Sequence, residues 1–428
     1  MDRIELHDVE YGDCSVLVGR NQSILMVDCG SVSEYTRRDQ IAMDARFEAI
    51  FRRYAAAASR NFLLTHYHRD HMSGFLKKLR NDPYYFDLIY IPAIPFYEQK
   101  CPLLEIALFS RYFSAPQSDF AQVNTTCLSI FEQLRTTVGT ARIQTLRAGD
   151  VFLFDGVRYT VLSPDVSGFL YDEKLFETAA ELNRLLMPFS DAAAFLRLKS
   201  DFLHLYMQCQ AAFSPASRMT KAEREAILLN LSSVWHDLES LRGTLEHLPV
   251  IEQIQKQLYE IRTLYTETQN SVSLVFHNVR DRAGGMDVLF AGDTTPDTFD
   301  RLASKLYSSY YAVKAPHHGT ESHWSDVFSS MEIGHVLISN GEYHAGGSVS
   351  GRYIAMESMK HCSNPSACPY MTENSSCCNR LLRCYEQSIS GALTLKCAAA
   401  AGNRRTPCNI YVFGHNAVYG CYCDRVMR

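Results

Sequence analysis

The stretch NFLLTHYHRDHMSGF, residues 61 to 75, constrains this chain more than any other part of it. A short apolar run, Phe62-Leu63-Leu64, opens into His66, His68, Asp70 and His71 within six positions. On a helix these four side chains fan widely around the axis. On a strand His66, His68 and Asp70 share one face and His71 points away. All four converge only where a strand ends in a loop that curls around a common point. Imidazole nitrogens and a carboxylate suit zinc, manganese or iron there. Four polar groups packed so closely need compensating partners in any case, so a metal-bearing loop is the expectation.

The surrounding pattern supplies the strands that such a loop needs. The first 30 residues alternate as paired strands, RIELHDV, SVLVG and SILMVDCGS, with turns at Gly12-Asp13 and Gly19-Arg20-Asn21. NFLLTHYH reads as a strand running into a loop, SGFLKKLR as a helix capped by Ser73, and DLIYIPAIP as a buried strand. Residues 99 to 138 read as helical. RIQTLRAGDVFLFDGVRYTVLSP reads as two or three strands, turning at Ala148-Gly149-Asp150 and Asp155-Gly156.

Residues 166 to 269 change character. They hold two glycines, Gly168 and Gly243, and the periodicity becomes helical. Thr220-Lys-Ala-Glu223 is a capping box. Leu231, Val234, Leu238, Leu241, Leu245 and Leu248 form one apolar stripe as far as Pro249, and Ile251, Ile254, Leu258, Ile261 and Tyr265 form another. Strands resume in SVSLVFHNV, MDVLFAGD, YAVKAPHHG, HVLISNG, GALTLKC and CNIYVFG, with Ser363 to Ser376 as the best candidate for a long loop. The expected division is an N-terminal half over 1–165, a helical insertion over 166–269, and a C-terminal half over 270–428 with a cysteine-rich tail.

Composition narrows the function classes. At 46% hydrophobic and 21% charged, the 428 residues can bury a substantial core. The N-terminus has no apolar leader segment and no stretch is apolar enough for a membrane helix, so a cytoplasmic protein without membrane contact is expected. A net charge of −5 argues against a surface that is basic throughout, but the charge is uneven. Residues 351 to 428 carry nine Lys/Arg against four Asp/Glu. Nine of the 14 cysteines lie beyond residue 361, and they read as reduced thiols rather than a disulfide framework, with a structural zinc site as the lesser alternative because paired C-x-x-C units are lacking. No Gly-rich phosphate loop points to an ATPase.

His66-x-His68-x-Asp70-His71 resembles the signature of the metallo-β-lactamase superfamily, whose fold is an α/β, αββα sandwich of two sheets flanked by helices. LFAGD, ending at Asp293, is similar to the element in which that family places a metal-bridging aspartate. VKAPHHGT, with His317 and His318, is similar to the one that carries a later histidine. VEYGDCSVLVGRNQSILMVDCGS, KAPHHGT and ISNGEYH resemble the hydrolase domain of competence DNA-uptake channel proteins, whose relatives include nucleases and phosphodiesterases. The similarity covers residues 5 to 165 and 268 to 350; the insertion and the cysteine-rich tail lie outside it.

The resemblance implies a dinuclear centre with two divalent ions, Zn or Mn. Site one would take His66 and His68. Site two would take Asp70, His71 and either His317 or His318, with Asp293 bridging. The ions would hold a hydroxide for in-line attack on a phosphorus or carbonyl centre. His344, in GEYHAGG, is similar to a histidine carried late in that branch and would donate a proton or grip a phosphate; the plainer reading is a surface loop histidine. Asp28 would brace the metal loops by hydrogen bonding. One departure stands out. The family's third site-one histidine is missing, and TETQNSVSLVF puts Asn270 or Ser271 in its place. An amide binds more weakly than imidazole, so site one either binds loosely or prefers a harder ion such as manganese. His204, His236 and His247 are candidate substitutes from the insertion that read more simply as helix-surface residues, His323 is a candidate for lining the cleft that reads more simply as a loop histidine, and Cys14 and Cys29 read as core.

The leading expectation is a metal-dependent phosphodiesterase, foremost a nuclease acting on DNA or RNA. Standalone relatives among bacterial defence effectors suggest regulation, with the insertion inhibiting the site or receiving a regulatory protein partner. The alternatives are a hydrolase of a small phosphodiester or ester roofed by the insertion, and a partner-binding regulatory protein with a structural metal site.

Overall fold

The computed structural model describes residues 1, 3–32, 37–114, 128, 142–280, 287–340, 349–356, 358–363, 393–395 and 409–413. Among these residues, fifteen strands form two sheets. The first runs β14 (Leu393–Leu395), β15 (Asn409–Phe413), β1 (Arg3–His7), β2 (Ser15–Val18), β3 (Ile24–Val27), β4 (Arg60–Leu63), β5 (Leu88–Pro92), β6 (Ile143–Leu146). The second runs β13 (Met359–Cys362), β12 (Glu332–Ile338), β11 (Ser309–Lys314), β10 (Val288–Phe290), β9 (Val275–Asn278), β8 (Val157–Ser163), β7 (Val151–Phe154). Both are mixed: β1–β3 and β7–β10 are antiparallel ladders, while β3–β6 and β10–β13 are parallel.

The period-2 alternation decides which face each strand shows. Leu25, Val27 and Leu63 turn inward to meet Phe276, Val288 and Phe290 of the second sheet in the core between the sheets. Ile24, Met26 and Phe62, their neighbours in sequence, turn outward beneath helices α1 (Arg37–Arg53), α2 (Arg69–Asn81) and α3 (Pro102–Phe113). On the far side, Val275, Leu289, Val313 and Val336 pack against Phe299, Trp324, Phe328 and Tyr353. The layers are therefore helices, sheet, sheet, and a thinner helical cover.

Between β8 and β9 the chain runs through α4 (Glu173–Leu186), α5 (Ser190–Phe213), α6 (Lys221–Ser240), α7 (Arg242–Leu245) and α8 (Ile251–Ser271). Thr220 and Glu223 make the reciprocal capping box at the start of α6. The first apolar stripe breaks at Leu241, earlier than Pro249, where α6 gives way to the one-turn α7. Leu175, Phe195, Leu231, Trp235, Ile254 and Tyr265 of these helices belong to the same continuous core as the outer face of the first sheet. Lys199 of α5 reaches Glu105 of α3 at 2.5 Å, and Arg111 of α3 reaches Glu239 of α6 at 2.9 Å.

Two local expectations change. The helix expected to start at Ser73 begins at Arg69, so Ser73 lies inside it, where its hydroxyl accepts from the Ser31 N–H and donates to the Ser31 carbonyl. Helix α1 and strand β13 have sequences whose patterns carried no expectation. Within residues 99–138, α3 accounts for the first part; residues 115–127 and 129–138, the loop expected after Ser363, and the cysteines beyond Cys362 lie outside the described residues. Cys14 and Cys29 are fully buried.

Candidate metal centre

Four backbone segments meet at one end of the sandwich. His66 and His68 sit on the short loop after β4, and Asp70 and His71 on the first turn of α2. The four therefore converge through a loop followed by a helix turn rather than through a loop alone. That turn is clamped from outside: the Asp70 carbonyl accepts from the Asp13 N–H at 2.9 Å, and the His71 carbonyl from the Cys29 N–H at 2.8 Å. Gly30 makes the close approach feasible, since a Cβ there would lie 2.4 Å from the Met72 nitrogen and 2.5 Å from the Arg69 carbonyl oxygen.

Asp293 follows β10 through Gly292. That glycine has φ +54, and a side chain on it would collide with Ser273 and Thr65. Its neighbour is positioned from both ends. The Asp293 N–H donates to Ser273 Oγ at 3.1 Å, and Asp293 Oδ1 accepts the His317 backbone N–H at 3.1 Å. The second oxygen, Oδ2, faces imidazoles: His71 Nε2 at 3.2 Å, His66 Nε2 at 3.7 Å, His317 Nε2 at 3.8 Å and His318 Nε2 at 3.9 Å. His318 Nε2 also lies 3.0 Å from Asp70 Oδ2.

The ligand-competent atoms sort into groups that share Asp293: His66, His68 and Asp293 in one, and Asp70, His71, Asp293 and His318 in the other. A third group, Asp13, Asp28 and His71, is already engaged in hydrogen bonds and an ion pair. Asp28 Oδ2 accepts from His71 Nδ1 at 2.8 Å and from Thr65 Oγ1 at 2.7 Å, and its Oδ1 accepts the Thr65 N–H at 2.7 Å. The Ser339 carbonyl lies 3.1 Å from His318 Nδ1, and Thr65 Oγ1 lies 3.2 Å from His66 Nδ1. Each of these oxygens can accept from Nδ1, the arrangement in which Nε2 is the nitrogen offered to a metal ion.

The residues present fit divalent cations by a direct criterion. His66 Nε2, His68 Nε2, His71 Nε2 and Asp293 Oδ2 are buried and make no hydrogen bond. Each such orphan costs about 1–3 kcal/mol unless a partner satisfies it, and one class of partner, a cation, satisfies all four. Electrostatics agree. Burial pushes the Asp293 carboxyl up, yet the His71, His66, His317 and His318 rings hold it well below the usual range. Burial pulls His71 down, but Asp293, Asp28 and Asp70 raise it well above an ordinary imidazole. Burial keeps His66 and His68 neutral.

Of the two adjacent histidines, His318 belongs to the four-residue group with Asp70, whereas His317, though its Nε2 is as near to Asp293 Oδ2, falls outside that group and stacks its ring on His323 at 3.8 Å between centroids. His344 lies outside the described residues. His204 and His236 are exposed on their helices, and His247, expected on a helix surface, is exposed in the turn after α7.

Several residues at the site had no role, or only a secondary one, in the expectations. His323 is buried beside the cluster rather than on an open loop. Tyr11 packs its ring 4.5 Å from that of His318. The buried Lys314 pairs with Asp13 at 2.5 Å and joins the two sheets directly behind the centre. The quoted segments VEYGD and VKAPHHG contained three of these residues, but nothing in a single sequence pairs positions 13 and 314.

Layer order and cluster together define an α/β sandwich of two mixed sheets flanked by helices, with a substantial helical insertion, carrying His/Asp groups compatible with a dinuclear metal site. No family model matches the chain, and no curated protein matches it. Among solved structures, the crystal structure of metallo-beta-lactamase SMB-1 bound to 2-mercaptoethanesulfonate is similar at 11% identity and a TM-score of 0.19, covering 56% of this chain and 96% of that one.

Proposed function

We propose that the protein is a metal-dependent phosphodiesterase whose substrate is nucleic acid, DNA or RNA. The observation that carries the reading is the convergence of three unpaired histidine nitrogens and one unpaired carboxylate oxygen at Asp293. His66, His68 and Asp293 would hold one ion; Asp70, His71, Asp293 and His318 would hold the other. The chemistry that such ions, zinc or manganese, supply when bound is activation of water near neutral pH and stabilisation of charge on phosphate oxygens.

The chain's own residues set the conditions for that chemistry. Asp28, Thr65 and the Ser339 carbonyl fix the ring tautomers. Tyr11, half-buried against His318, keeps its phenolic proton because burial and the Asp70 and Asp293 carboxylates push its pKa up. His344 is assigned the proton for the leaving group. The excess of Lys/Arg over residues 351–428 supports a polyanionic substrate, as does the wording shared with the competence-protein hydrolase domain.

One observation favours a smaller phosphodiester instead. Helix α8 of the insertion ends beside the centre with Gln269 and Asn270 buried, so the insertion borders the site rather than standing clear of it. The deciding experiment is incubation of supercoiled plasmid and of a chromogenic phosphodiester with protein and added manganese or zinc, with Asp70→Ala in parallel. Plasmid cleavage by the unsubstituted chain alone supports the nuclease. Turnover of the small ester alone supports the roofed pocket, and turnover of neither by metal-loaded protein defeats the enzymatic reading.

A further inference from the structure

His317, His318 and Gly319 take consecutive left-handed backbone conformations, with φ +46, +58 and +76. Few residues other than glycine adopt such angles, and two histidines in a row persist there only where the surroundings hold them. The His317 N–H donates to Asp293 Oδ1 at 3.1 Å, Asn340 Nδ2 donates to the His318 carbonyl at 3.0 Å, and the Ser350 N–H donates to the Gly319 carbonyl at 2.8 Å. The turn brings both imidazoles to one carboxylate oxygen. Their ring centroids are 5.6 Å apart, and their Nε2 atoms lie 3.8 and 3.9 Å from Asp293 Oδ2.

Their outer nitrogens meet different chemistry. His318 Nδ1 faces the Ser339 carbonyl at 3.1 Å. A carbonyl only accepts, so the proton sits on Nδ1 and Nε2 is the nitrogen offered to a cation. His317 Nδ1 faces the Thr320 hydroxyl at 2.8 Å, and a hydroxyl both donates and accepts. A chain of side chains sets its direction. Asn270 Nδ2, which only donates, lies 3.4 Å from His323 Nε2, so that nitrogen accepts and the His323 proton is on Nδ1. His323 Nδ1 donates to Ser322 Oγ at 3.0 Å; Ser322 Oγ then donates to Thr320 Oγ1 at 3.3 Å, and Thr320 Oγ1 to His317 Nδ1. Burial holds both rings below the ordinary imidazole range, so each carries one proton near neutral pH. His317 keeps its own on Nε2. Among the described residues that N–H meets no hydrogen-bond partner: Asp293 Oδ2 at 3.8 Å is beyond reach, and the side chain is 26% exposed.

We propose that His317 is a substrate-contacting donor rather than a metal ligand: its Nε2–H hydrogen-bonds a phosphoryl oxygen of the substrate beside Asp293, and the Asn270–His323–Ser322–Thr320 chain fixes the tautomer that makes it a donor. An N–H meeting an anionic oxygen makes one of the stronger hydrogen bonds. An imidazole with its proton on Nε2 has no lone pair there for a cation. The stack of His317 on His323, at 3.8 Å between centroids, keeps the ring from turning out into solvent. The inference rests on the phosphodiesterase reading above and deepens it, dividing two adjacent histidines that stand equally near one carboxylate into a ligand and a grip on the substrate.

The test is calorimetric titration of the zinc-loaded full chain with inorganic phosphate, with metal content measured beside it and with imidazole nitrogen NMR of the same loaded chain. His317→Phe should keep every ion that the unsubstituted chain holds and weaken phosphate by about tenfold or more. His317→Gln, whose carboxamide N–H stands in for Nε2–H, should recover most of that loss. The NMR signal of His317, assigned by its absence in His317→Gln, should show the proton on Nε2. Thr320→Val, which removes the last hydroxyl of the chain, should shift that proton toward Nδ1 and weaken phosphate several-fold with the ions retained. Loss of an ion in His317→Phe makes the residue a ligand and overturns the proposal, as does unchanged phosphate affinity in His317→Phe or an unchanged tautomer in Thr320→Val. If the variants fail to fold, the tautomer of the unsubstituted chain decides, and a proton on Nδ1 overturns the proposal. A loaded, unsubstituted chain that binds no phosphate overturns the phosphodiesterase reading and this inference with it; phosphate binding that is indifferent to His317 overturns this inference alone.

Discussion

His318 Nε2 and Asp70 Oδ2 lie 3.0 Å apart although 248 residues separate them. One belongs to the loop after β11 in the second sheet, the other to the helix turn after β4 in the first. Neither sheet builds the centre by itself, and the sandwich must close before the pair can meet. His318→Ala should therefore remove one bound ion and lower metal affinity by more than the ~10–100-fold of an outer partner. His317→Ala, whose ring stacks on His323 outside the group, should keep both ions. Metal content after equilibrium dialysis separates the two variants.

Asp28 tests the outer layer. It adopts a left-handed conformation, φ +60, in order to accept from both Thr65 and His71. Asp28→Asn keeps the shape but weakens the grip on the His71 Nδ1 proton. Metal affinity should fall by about 10–100-fold with the fold intact, read by competition against a chromophoric chelator with circular dichroism as the control.

The Lys314–Asp13 pair ties the two sheets behind the centre, with both side chains at least 95% buried, their exposures being 3% and 5%. Removing one partner strands a buried charge. Lys314→Met should cost about 3–5 kcal/mol, and adding Asp13→Asn should restore a large part of it. Urea unfolding of the single and double variants gives both numbers.

Acid should destabilise the fold in two stages away from the centre. Burial pulls His7 down to about 4, and burial likewise brings His277 to about 4, against 6.5 for a free imidazole. In that window the unfolded chain binds more protons than the folded one, so stability falls as pH drops from 6.5 toward 4. Glu5 follows. Burial raises its carboxyl, but hydrogen bonds from Arg53, Tyr54 and Arg3 bring it down to about 2. Its contribution, fully present above 4.5, disappears as pH falls through about 2. Urea midpoints of the metal-free chain from pH 7 to 3 should decline throughout; a flat profile between 6.5 and 4 contradicts the assignment.

The insertion shares its core with the first sheet, so it should not behave as a detachable inhibitor. Trp235 is fully buried there, over Phe202 and beside Arg111 of α3. Trp235→Ala should cost about 3–5 kcal/mol, measured as a single cooperative urea transition for the whole chain. Two separated transitions would show that the insertion folds independently.

Much of the fold was legible because it is written locally. Alternation in SILMVDCGS and MDVLFAGD gives strands, the Thr220 capping box gives a helix start, and His66, His68, Asp70 and His71 mark one rim of the site by density alone. The start of α2 was not legible, because His68 caps it without any side-chain hydrogen bond and Arg69-Asp70 carries no apolar period. Strand β13 was missed because MKHC gets its place from β12 rather than from its own pattern. Asn270 stands in the sequence only as the residue in a missing histidine's place and His323 as a loop histidine, until α8 and the loop after β11 bring them 3.4 Å apart. Long-range pairing, not propensity, decides such residues.

Metal stoichiometry tests the central claim most directly: that six side chains from both sheets form one two-ion centre. Inductively coupled plasma mass spectrometry of the full chain saturated with manganese or zinc, beside Asp293→Ala, reads it without assuming a substrate. The account predicts two ions per chain, and in Asp293→Ala at most one, because both groups share that carboxylate. Fewer than two ions at saturation, or two ions retained in Asp293→Ala, would contradict it.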